Sequence, residues 1–468
     1  MFKNLLKLTD SYKVTHWPQY PSGTDYLYAY WESRGGLYPE TVFYGLQYLL
    51  KEYLSTPITM KDIDSAQVRF ERHFANSHLF NRDGWLYILK MYNGKLPVRI
   101  KAVPEGTIVP TRNVMMTVEN TDPNVPWLTN YLETLLCQVW YPTTVATISR
   151  EIKKDIKTYL EETGDVTGLP FKLHDFGFRG VSSVESAAIG GAAHLVNFMG
   201  TDTLPALDMA EEIYHEPSAG FSIPASEHST ITSWGEENEY AAFLNMVTQY
   251  GGHGSTGGGL YACVSDSYNI FDACEAWGTG VLRDAVREAP NMLVVRPDSG
   301  TPRVIVPQVI ETLDSIAHNL DAGFGHTIND KGYKVLNDVR VIQGDGVNPD
   351  EIHCILEALK IRGWSADNIA FGMGGALLQK MDRDTQEFAF KASFISGRFG
   401  ERDVFKSPVT DQGKRSKRGK LALVEKEGVL ETVAQGDDNG ADQLVTVFEN
   451  GKVITDHTFA EIRERAEV

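Results

Sequence analysis

The sequence predicts an α/β fold organised around an irregular (β/α) barrel, and two observations support this. From about residue 170, short apolar runs alternate with helical patterns, as they do in parallel βαβ units. Each apolar run also ends in polar residues or glycines, and in a barrel those positions form the active-site face. A doubly wound open sheet fits the same alternation and remains the alternative architecture.

Five strand–helix units follow one another in this part of the chain. In each, a run typical of a buried strand leads through a polar or glycine-containing turn into apolar residues at helical spacing. The strands and turns are FKLHDFGFRG (171–180), YACVSDSYN (261–269), NMLVVRPDSG (291–300), DVRVIQGDGVN (338–348) and NIAFGMGG (368–375). We expect the residues after these strands to meet at one end of the barrel.

The two ends of the chain have a different hydrophobic pattern. The first 165 residues mix short strands with amphipathic helices, and residues 125–165 carry apolar side chains at helical spacing. Residues 419–454 have the pattern of a small β meander, with turn signals at 437–440 and 450–451.

The composition narrows the function classes. The formal net charge of −18 argues against nucleic acid and anionic membranes as partners, because both attract basic proteins. The cysteines are scattered without a C-x-x-C pair, which indicates a reducing compartment and gives no zinc signature. No stretch approaches the ~20 apolar residues that span a bilayer, and the opening residues lack a secretory apolar run. We expect a cytoplasmic protein.

Charged residues and glycines follow every predicted barrel strand. A single aspartate there is often a helix N-cap, and for Asp345 alone the cap is the stronger interpretation. Arginine does not cap a helix N-terminus, so several acids and arginines together indicate a ligand site. The residues concerned are His174, Asp175, Phe176, Arg179, Asp266, Ser267, Arg296, Asp298, Gly344, Asp345, Gly346, Gly374 and Gly375.

The residue types in these turns indicate a phosphorylated ligand. Gly374 and Gly375 would let backbone N–H groups approach a phosphate. Carboxylates such as Asp298 and Asp345 can accept ribose hydroxyls or hold Mg²⁺ through water. Further phosphate contacts could come from Arg383, Lys391, Lys406 and Lys414. A solvated basic face remains the alternative for residues 414–420.

A series of ordered motifs resembles the nicotinamide phosphoribosyltransferase family, a type II phosphoribosyltransferase family. The motifs run from Thr9 to about Leu423, and the last 45 or so residues match more loosely. They are TDSYKVTHWPQYP, HDFGFRGVSSVESA, GTDT, PASEHSTITSWG, VSDSYNIFDACE, RPDSG, VIQGDGV, GGALLQK and VFKSPVTDQGKRSKRGKLAL.

The resemblance implies a barrel-like domain at 166–384 and a second α+β domain built from 1–165 and 385–468. It implies a homodimer that condenses nicotinamide with phosphoribosyl pyrophosphate, giving nicotinamide mononucleotide and pyrophosphate. Mg²⁺ would be carried by pyrophosphate, through water to Asp298 or Asp345, without a protein metal site. ATP would stimulate the reaction through a phosphorylated histidine.

Carried over by motif, a first group of residues surrounds the base. Phe176 resembles the aromatic that stacks on the pyridine ring, and Tyr12 of the partner subunit would cover the other face; an ordinary interface tyrosine is the alternative. Asp202 resembles the acceptor of the amide N–H, which predicts a preference for nicotinamide over nicotinic acid. The substrate set is completed by Asp10, Arg179, Ser222, Arg296, Gly344, Asp345, Gly374 and Gly375.

A second group would serve the phosphates and the reaction. His228 resembles the phosphorylated histidine, supported by Glu227, although a lone histidine is more often structural. Asp266 and Asp298 join His228 as the predicted catalytic residues. The nucleotide and phosphate contacts, some of them across the dimer, would be Arg34, Arg383, Lys391, Lys406 and Lys414.

Two departures from the family pattern and two alternative functions stay open at this stage. The Gly251–Gly259 loop is unusually long and glycine-rich, and Met373 replaces a small polar residue beside the phosphate glycines, which could change hydration there. A nicotinic acid phosphoribosyltransferase is the nearest alternative. A catalytically silent binding protein on the same fold is the other.

Overall fold

The computed structural model describes residues 3–76, 78–252, 259–316, 322–410 and 412–468. Most of the Gly251–Gly259 loop therefore lies outside the described residues. The strands are β1 Thr24–Ser33, β2 Glu40–Val42, β3 Val98–Ala102, β4 Ile108–Pro110, β5 Val114–Asn120, β6 Leu173–Asp175, β7 Gly200–Thr201, β8 Leu260–Val264, β9 Met292–Arg296, β10 His326–Ile328, β11 Lys334–Leu336, β12 Val339–Gln343, β13 Ile369–Met373, β14 Phe388–Gly397, β15 Gly400–Asp403, β16 Leu421–Lys426, β17 Val429–Ala434, β18 Val445–Glu449 and β19 Lys452–Val453.

The α-helices fall between these strands. They are α1 Leu46–Leu49, α2 Met60–Phe74, α3 Arg82–Tyr92, α4 Leu128–Tyr131, α5 Glu133–Cys137, α6 Trp140–Thr163, α7 Val184–Leu195, α8 Leu204–Tyr214, α9 His228–Thr232, α10 Glu239–Tyr250, α11 Ile270–Trp277, α12 Gly280–Glu288, α13 Pro302–Asp314, α14 Pro349–Ile361, α15 Gly375–Leu378 and α16 Phe459–Arg465. In the described part of the chain, none of them combines the length and apolarity needed to cross a membrane.

The chain divides into two compact units. The first comprises residues 1–147, 210–216 and 381–467, and the second comprises residues 148–209, 217–380 and 468. Both ends of the chain thus contribute to the first unit, and all five strand–helix units predicted from the sequence lie in the second.

The first unit is built on a seven-stranded sheet in the order β15-β14-β1-β5-β3-β18-β19. Its pairings are antiparallel, and β1 lies near the middle, between β14 and β5. Most of β1 is buried, and the Trp31 ring of this strand stacks on Phe388 of β14 at 4.6 Å. The predicted C-terminal meander is two hairpins: β16–β17 forms a separate pair, while β18–β19 joins the large sheet through β3.

The second unit contains the parallel sheet, in the order β7-β6-β13-β12-β9-β8. The segment from Phe221 to Ser226 connects the two edge strands. On one side the Thr201 N–H of β7 donates to Phe221 O at 3.0 Å, and on the other the Ala262 N–H of β8 donates to Pro224 O at 2.8 Å. The sheet therefore closes on itself, and the predicted irregular (β/α) barrel is confirmed over the doubly wound alternative.

All five predicted strand–helix units are present: β6 leads to α7, β8 to α11, β9 to α13, β12 to α14 and β13 to α15. Local chemistry explains where the helices begin. The Asn348 side chain accepts the Glu351 N–H at 3.0 Å, and Pro349 occupies the first helical position of α14. Because the strands run parallel, each turn between a strand and its helix lies at the same end of the barrel.

Small and aliphatic side chains fill the barrel interior. Ala262, Val294 and Ile342 form a buried cluster, and the Phe176 ring packs against it. Ala370 and Ile223 complete the packing around this cluster. The ring of Phe176 therefore lies on a packed apolar cluster, beside the turns that follow the strands.

Candidate active site

A cavity of about 850 Å³ lies at the carboxyl ends of the barrel strands. Its walls come from the turns after β6, β7, β9, β12 and β13, so the structure brings together segments far apart in sequence. The predicted site residues that line it are Phe176, Arg179, Asp202, Arg296, Asp298, Gly344, Asp345, Gly374 and Gly375. The expectation that these turns meet at one end of the barrel is thus confirmed.

Arg296 and Asp298 form one wall as an ion pair. Arg296 Nη2 lies 2.8 Å and Nε 3.1 Å from Asp298 Oδ1, and both side chains are partly buried. The guanidinium carbon also lies 5.8 Å from the centre of the Phe176 ring, within cation–π range. A buried apolar strand can end in two charged residues here because they neutralise each other and face the cavity.

The Phe176 turn is anchored by the buried carboxylate of Asp175. Asp175 Oδ1 accepts the Gly177 N–H at 2.7 Å, and its backbone carbonyl accepts the Asp202 N–H at 3.0 Å. Burial raises the pKa of Asp175 to about 6, and the nearby charge of Asp202 acts in the same direction. Asp175 therefore joins the turn that carries Phe176 to the turn that carries Asp202.

Asp202 and Ser222 are hydrogen-bonded to each other. The Ser222 hydroxyl donates to Asp202 Oδ1. Ser222 also lines a neighbouring, more apolar cavity of about 520 Å³ rather than the main one. Because the hydroxyl orients the carboxylate, the Asp202 side chain presents a defined hydrogen-bond acceptor to the main cavity.

The predicted catalytic histidine is linked to the cavity wall. His228 Nε2 lies 3.0 Å from Asp266 Oδ1, and Asp266 Oδ2 accepts the Asp298 N–H at 3.0 Å. The His228 side chain is 46% exposed and that of Asp266 only 3%. Burial acts to raise the pKa of Asp266, but hydrogen bonds from Ser299, His228 and the Asp298 N–H outweigh it and hold that pKa below its ordinary value. Asp266 is therefore an ionised partner for the ring.

Glu227 acts on helix α9 itself. It is the N-cap residue of α9, its carboxylate accepts the Ser229 hydroxyl, and its backbone N–H donates to Thr230 Oγ1 at 3.2 Å. These bonds fix the first turn of the helix that begins with His228.

The remaining predicted residues lie in the first unit, and the described lining of the cavity contains none of them. Asp10 Oδ2 accepts the Thr134 hydroxyl at 2.9 Å, and the Tyr12 side chain is 57% exposed. Lys391 lies on β14, where burial and the charges of Arg34 and Arg383 lower its pKa. The other members are Lys406, whose N–H donates to the Ser416 hydroxyl, and Lys414 of a short 3-10 turn.

The cavity also has lining residues that the sequence analysis missed, chiefly Phe178, Thr203, Asn348 and Lys380. Lys380 is exposed and ends the GGALLQK motif, so a search for cations after the phosphate glycines would have found it. Asn348 has the sequence pattern of an N-cap, and that pattern gives no sign that the residue also lines the cavity.

Met373 occupies a different environment from the one expected. It is fully buried, whereas its neighbour Gly374 lines the cavity. The Met373 side chain therefore lies in the packed interior and not against the cavity. Its expected effect on the hydration beside the phosphate glycines stays a prediction.

Two carboxylates, Asp298 and Asp345, line the cavity and are the oxygen donors that Mg²⁺ prefers. In the described parts of the chain, no group of three or more His, Cys, Asp or Glu side chains has the geometry to hold a metal ion. The donor set fits an ion that arrives with a phosphorylated ligand and keeps most of its water.

Two family profiles match the chain. The Nicotinate phosphoribosyltransferase (NAPRTase) family matches residues 171–452, and the N-terminal domain of Nicotinamide phosphoribosyltransferase matches residues 4–100. The Nicotinamide phosphoribosyltransferase of Xanthomonas campestris pv. campestris is 52% identical over 99% of this chain and 98% of its own length. The protein of the same name from Acinetobacter baylyi is 33% identical over 99% and 97%.

Solved structures share the fold at low sequence identity. The nicotinate-nucleotide pyrophosphorylase of Pyrococcus furiosus matches with a TM-score of 0.61 and 15% identity, over 99% of this chain and 94% of that one. Human Nicotinic Acid Phosphoribosyltransferase matches with a TM-score of 0.56 and 14% identity, over 98% and 92%.

Proposed function

This chain belongs to the nicotinamide phosphoribosyltransferase family, and we propose that its barrel cavity condenses nicotinamide with 5-phosphoribosyl 1-pyrophosphate. The products are nicotinamide mononucleotide and pyrophosphate, the entry step of NAD salvage from nicotinamide. The enzyme is a pentosyltransferase, the class to which a nicotinamide phosphoribosyltransferase belongs, and relatives of that name match nearly its full length. The observation that carries the proposal is one cavity holding an aromatic face, a guanidinium and carboxylates, from Phe176, Arg296 and Asp345 among others.

In this proposal the base lies against the Phe176 ring. An aromatic face holds a flat heterocycle at low entropic cost, and the Arg296 guanidinium lies beside the same ring. Asp202, oriented by Ser222, accepts a hydrogen bond from the amide N–H₂ of nicotinamide. The same carboxylate repels the carboxylate of nicotinic acid, so the site prefers the amide.

The phosphorylated sugar occupies the rest of the cavity. Asp298 and Asp345 accept hydrogen bonds from ribose hydroxyls, and Gly344, the residue before Asp345, lies against the Arg296–Asp298 pair. Arg179 and the Gly374–Gly375 turn bind the 5-phosphate, with Lys380 as a further cation. Mg²⁺ would arrive on the pyrophosphate, held through water by Asp298 or Asp345, and it would neutralise charge on the leaving group.

The reaction requires positioning more than acid–base chemistry. A bond forms between the pyridine nitrogen and the anomeric carbon of ribose, and the bond from that carbon to the pyrophosphate oxygen breaks. The nitrogen lone pair supplies the electrons, so no side chain must remove a proton. Positive charge develops on the ribose as pyrophosphate leaves, and Asp298 beside Arg296 is placed to stabilise it.

We further propose that ATP stimulates the reaction through His228. The ring would take the γ-phosphoryl group, forming a nitrogen–phosphorus bond as the bond to ADP breaks. The Asp266 contact at 3.0 Å supports this role because the carboxylate fixes the orientation of the ring. Through its second oxygen, Asp266 connects the ring to the Asp298 turn.

The residues of the first unit belong to the proposal through a homodimer. Tyr12 and Asp10 would complete the base site of a second subunit, and the cations Arg34, Arg383, Lys391, Lys406 and Lys414 would bind phosphates there. The exposed Tyr12 ring supports such a role. Co-expression of an Asp298→Ala protomer with a Lys391→Ala protomer tests it, because mixed dimers would regain one intact site; activity no higher than in either variant alone would overturn shared sites.

We also assign the enzyme to the cytoplasm. Cys263 and Cys274 are buried free thiols, and Cys137 and Cys354 are also unpaired, which is the state kept in a reducing compartment.

The deciding experiment incubates the purified chain with phosphoribosyl pyrophosphate, Mg²⁺ and either base. Nicotinamide mononucleotide should form, with kcat/KM for nicotinamide well above that for nicotinic acid. The reverse preference would make the protein a nicotinic acid phosphoribosyltransferase. Binding of both substrates without product, with or without ATP, would support the silent binding protein.

A further inference from the structure

We propose that Gly372 is a positioning residue for the base: its missing side chain provides the space in which the Phe176 ring lies. The inference rests on the proposed function, in which that ring stacks on nicotinamide. A β-carbon added to Gly372 would lie 2.9 Å from Cζ of Phe176 and closer still to Cε2 and Cδ2. Carbon atoms cannot approach so closely, so ring and side chain exclude each other.

The backbone itself does not require glycine at this position. Gly372 lies inside strand β13, where it pairs in register with His174 of β6, and it is not among the positive-φ glycines. Glycine in a strand interior normally weakens the strand, and often marks a close approach by another group. The group that approaches here is the Phe176 ring, so the close contact with this ring explains the glycine.

The packing around the Phe176 ring limits where it can move within the barrel. The ring packs on the buried cluster of Ala262, Val294 and Ile342, and the backbone N–H of Phe176 donates to Met373 O at 3.1 Å. A methyl group on residue 372 would therefore displace the ring, and the ring already borders the main cavity, which Phe176 lines. The ring would have to move towards the cavity, into the space that the pyridine ring would occupy.

Such a displacement should affect the KM values of the two substrates differently. The sugar-phosphate site is built mainly from the turns after β9, β12 and β13, with Arg179 from the turn after β6, whereas the base depends on the Phe176 ring. Gly372→Ala should therefore raise the KM for nicotinamide by roughly five- to tenfold, the value of one aromatic contact. The KM for phosphoribosyl pyrophosphate should stay within about twofold.

The matched control is Gly168→Ala. This glycine also lies outside the positive-φ region, and an added β-carbon would meet only Lys172 Cε, at an ordinary 3.8 Å. It should leave both KM values unchanged. The decisive comparison is a double-mutant cycle with Phe176→Ala: in that background Gly372→Ala should change the nicotinamide KM by less than about twofold, since the atoms that meet the added β-carbon are gone.

The outcomes separate the inference from the function on which it rests. Parent enzyme without activity would overturn the proposed function. Active parent enzyme with an unchanged nicotinamide KM in Gly372→Ala, or equal effects in both backgrounds, would overturn the role of Gly372. If Gly372→Ala fails to fold but Phe176→Ala/Gly372→Ala folds, the steric pairing is supported. If both fail to fold, Gly372 serves the barrel independently of the ring and the inference is wrong.

Discussion

The Asp266 carboxylate bonds on one side to His228 Nε2, at 3.0 Å, and on the other to the Asp298 N–H, also at 3.0 Å. One buried acid thus connects an exposed imidazole to the wall of the substrate cavity. Asp266 therefore couples the His228 ring to the turn that carries Asp298.

His228→Ala should abolish stimulation by ATP while slow turnover without ATP persists. The substitution removes the only group in the proposal that can hold the phosphoryl group, but it leaves the substrate cavity intact. The measurement is the ratio of initial rates with and without ATP, which should fall to about one, because the remaining rate comes from positioning alone.

His353→Ala is the matched control for that experiment. His353 is also exposed and also paired with an aspartate, since its Nδ1 lies 3.1 Å from Asp155 Oδ1, but it lies on α14 outside the cavity. Its ATP stimulation should equal that of the parent. Undiminished stimulation in His228→Ala would contradict the phosphohistidine role.

Asp202→Asn should reduce the preference for nicotinamide over nicotinic acid by at least about tenfold in kcat/KM. The amide keeps the size of the side chain but removes the charge that repels nicotinic acid and strengthens the hydrogen bond to nicotinamide. Competition between the two bases at fixed phosphoribosyl pyrophosphate measures the change. Asp208→Asn, which neutralises an exposed acid on the same helix–turn segment, should leave the preference unchanged; equal behaviour of the two variants would remove Asp202 from base recognition.

Lys380→Met should raise the KM for phosphoribosyl pyrophosphate by about tenfold, with little change in the KM for nicotinamide. The ammonium lines the cavity with Arg179 and the Gly374–Gly375 turn, where it can contact a phosphate. Steady-state kinetics with each substrate varied in turn give both constants. Lys360→Met, which removes a lysine paired with Glu162 on the surface, should change neither.

Asp175→Asn tests the cost of a buried charge. In the folded protein the pKa of Asp175 is about 6, against an ordinary 3.8, so its stabilising contribution is complete below pH 3.8 and is lost as the pH rises to about 6. Asparagine keeps an oxygen to accept the Gly177 N–H and carries no charge. The Tm of Asp175→Asn relative to the parent should therefore be higher at pH 7.5 than at pH 4.5, by an amount equivalent to at most about 3 kcal/mol. A constant difference across this range would show that Asp175 does not titrate as stated.

Lys331→Met should lower stability without affecting catalysis. Lys331 Nζ donates to three carbonyls at the end of α6, those of Leu160, Glu161 and Gly164, at 2.6–3.1 Å. Their loss should cost about 1–2 kcal/mol, seen as a Tm lower by roughly 2–4 °C. Lys360→Met, which loses one partly exposed ion pair and a cation–π contact with Tyr159 at 5.7 Å, should have a smaller effect. A larger loss of activity than of stability would contradict a purely structural role.

Much of the barrel and of its chemistry could be predicted from the chain itself. The buried run Leu293–Val295 indicates a strand, and Pro302 marks the start of the next helix, because strand burial and helix capping are local properties. The polar residues after each strand were then expected to meet, since parallel strands of one barrel end on the same side. Arg296, Asp298 and Asp345 could be grouped on that basis.

Other features had no local signal. The segment Phe221–Ser226 closes the barrel through a few backbone hydrogen bonds and shows no strand-like apolar run. The role of Asp175 depends on its burial between two turns. The role of Gly372 depends on the ring of Phe176, which is almost 200 positions away in the chain.

By itself, then, the sequence determined the kind of protein: an α/β barrel whose strand-end turns carry residues for a flat amide base and a phosphorylated sugar. Only the tertiary structure decided how the barrel closes, that Asp266 joins His228 to the Asp298 turn, and that Phe176 lies on Gly372. The physical reason is the range of the interactions. Strand burial, capping and turn chemistry act between near neighbours in sequence, whereas closure, buried-charge environment and ring packing depend on residues that meet only when the chain has folded.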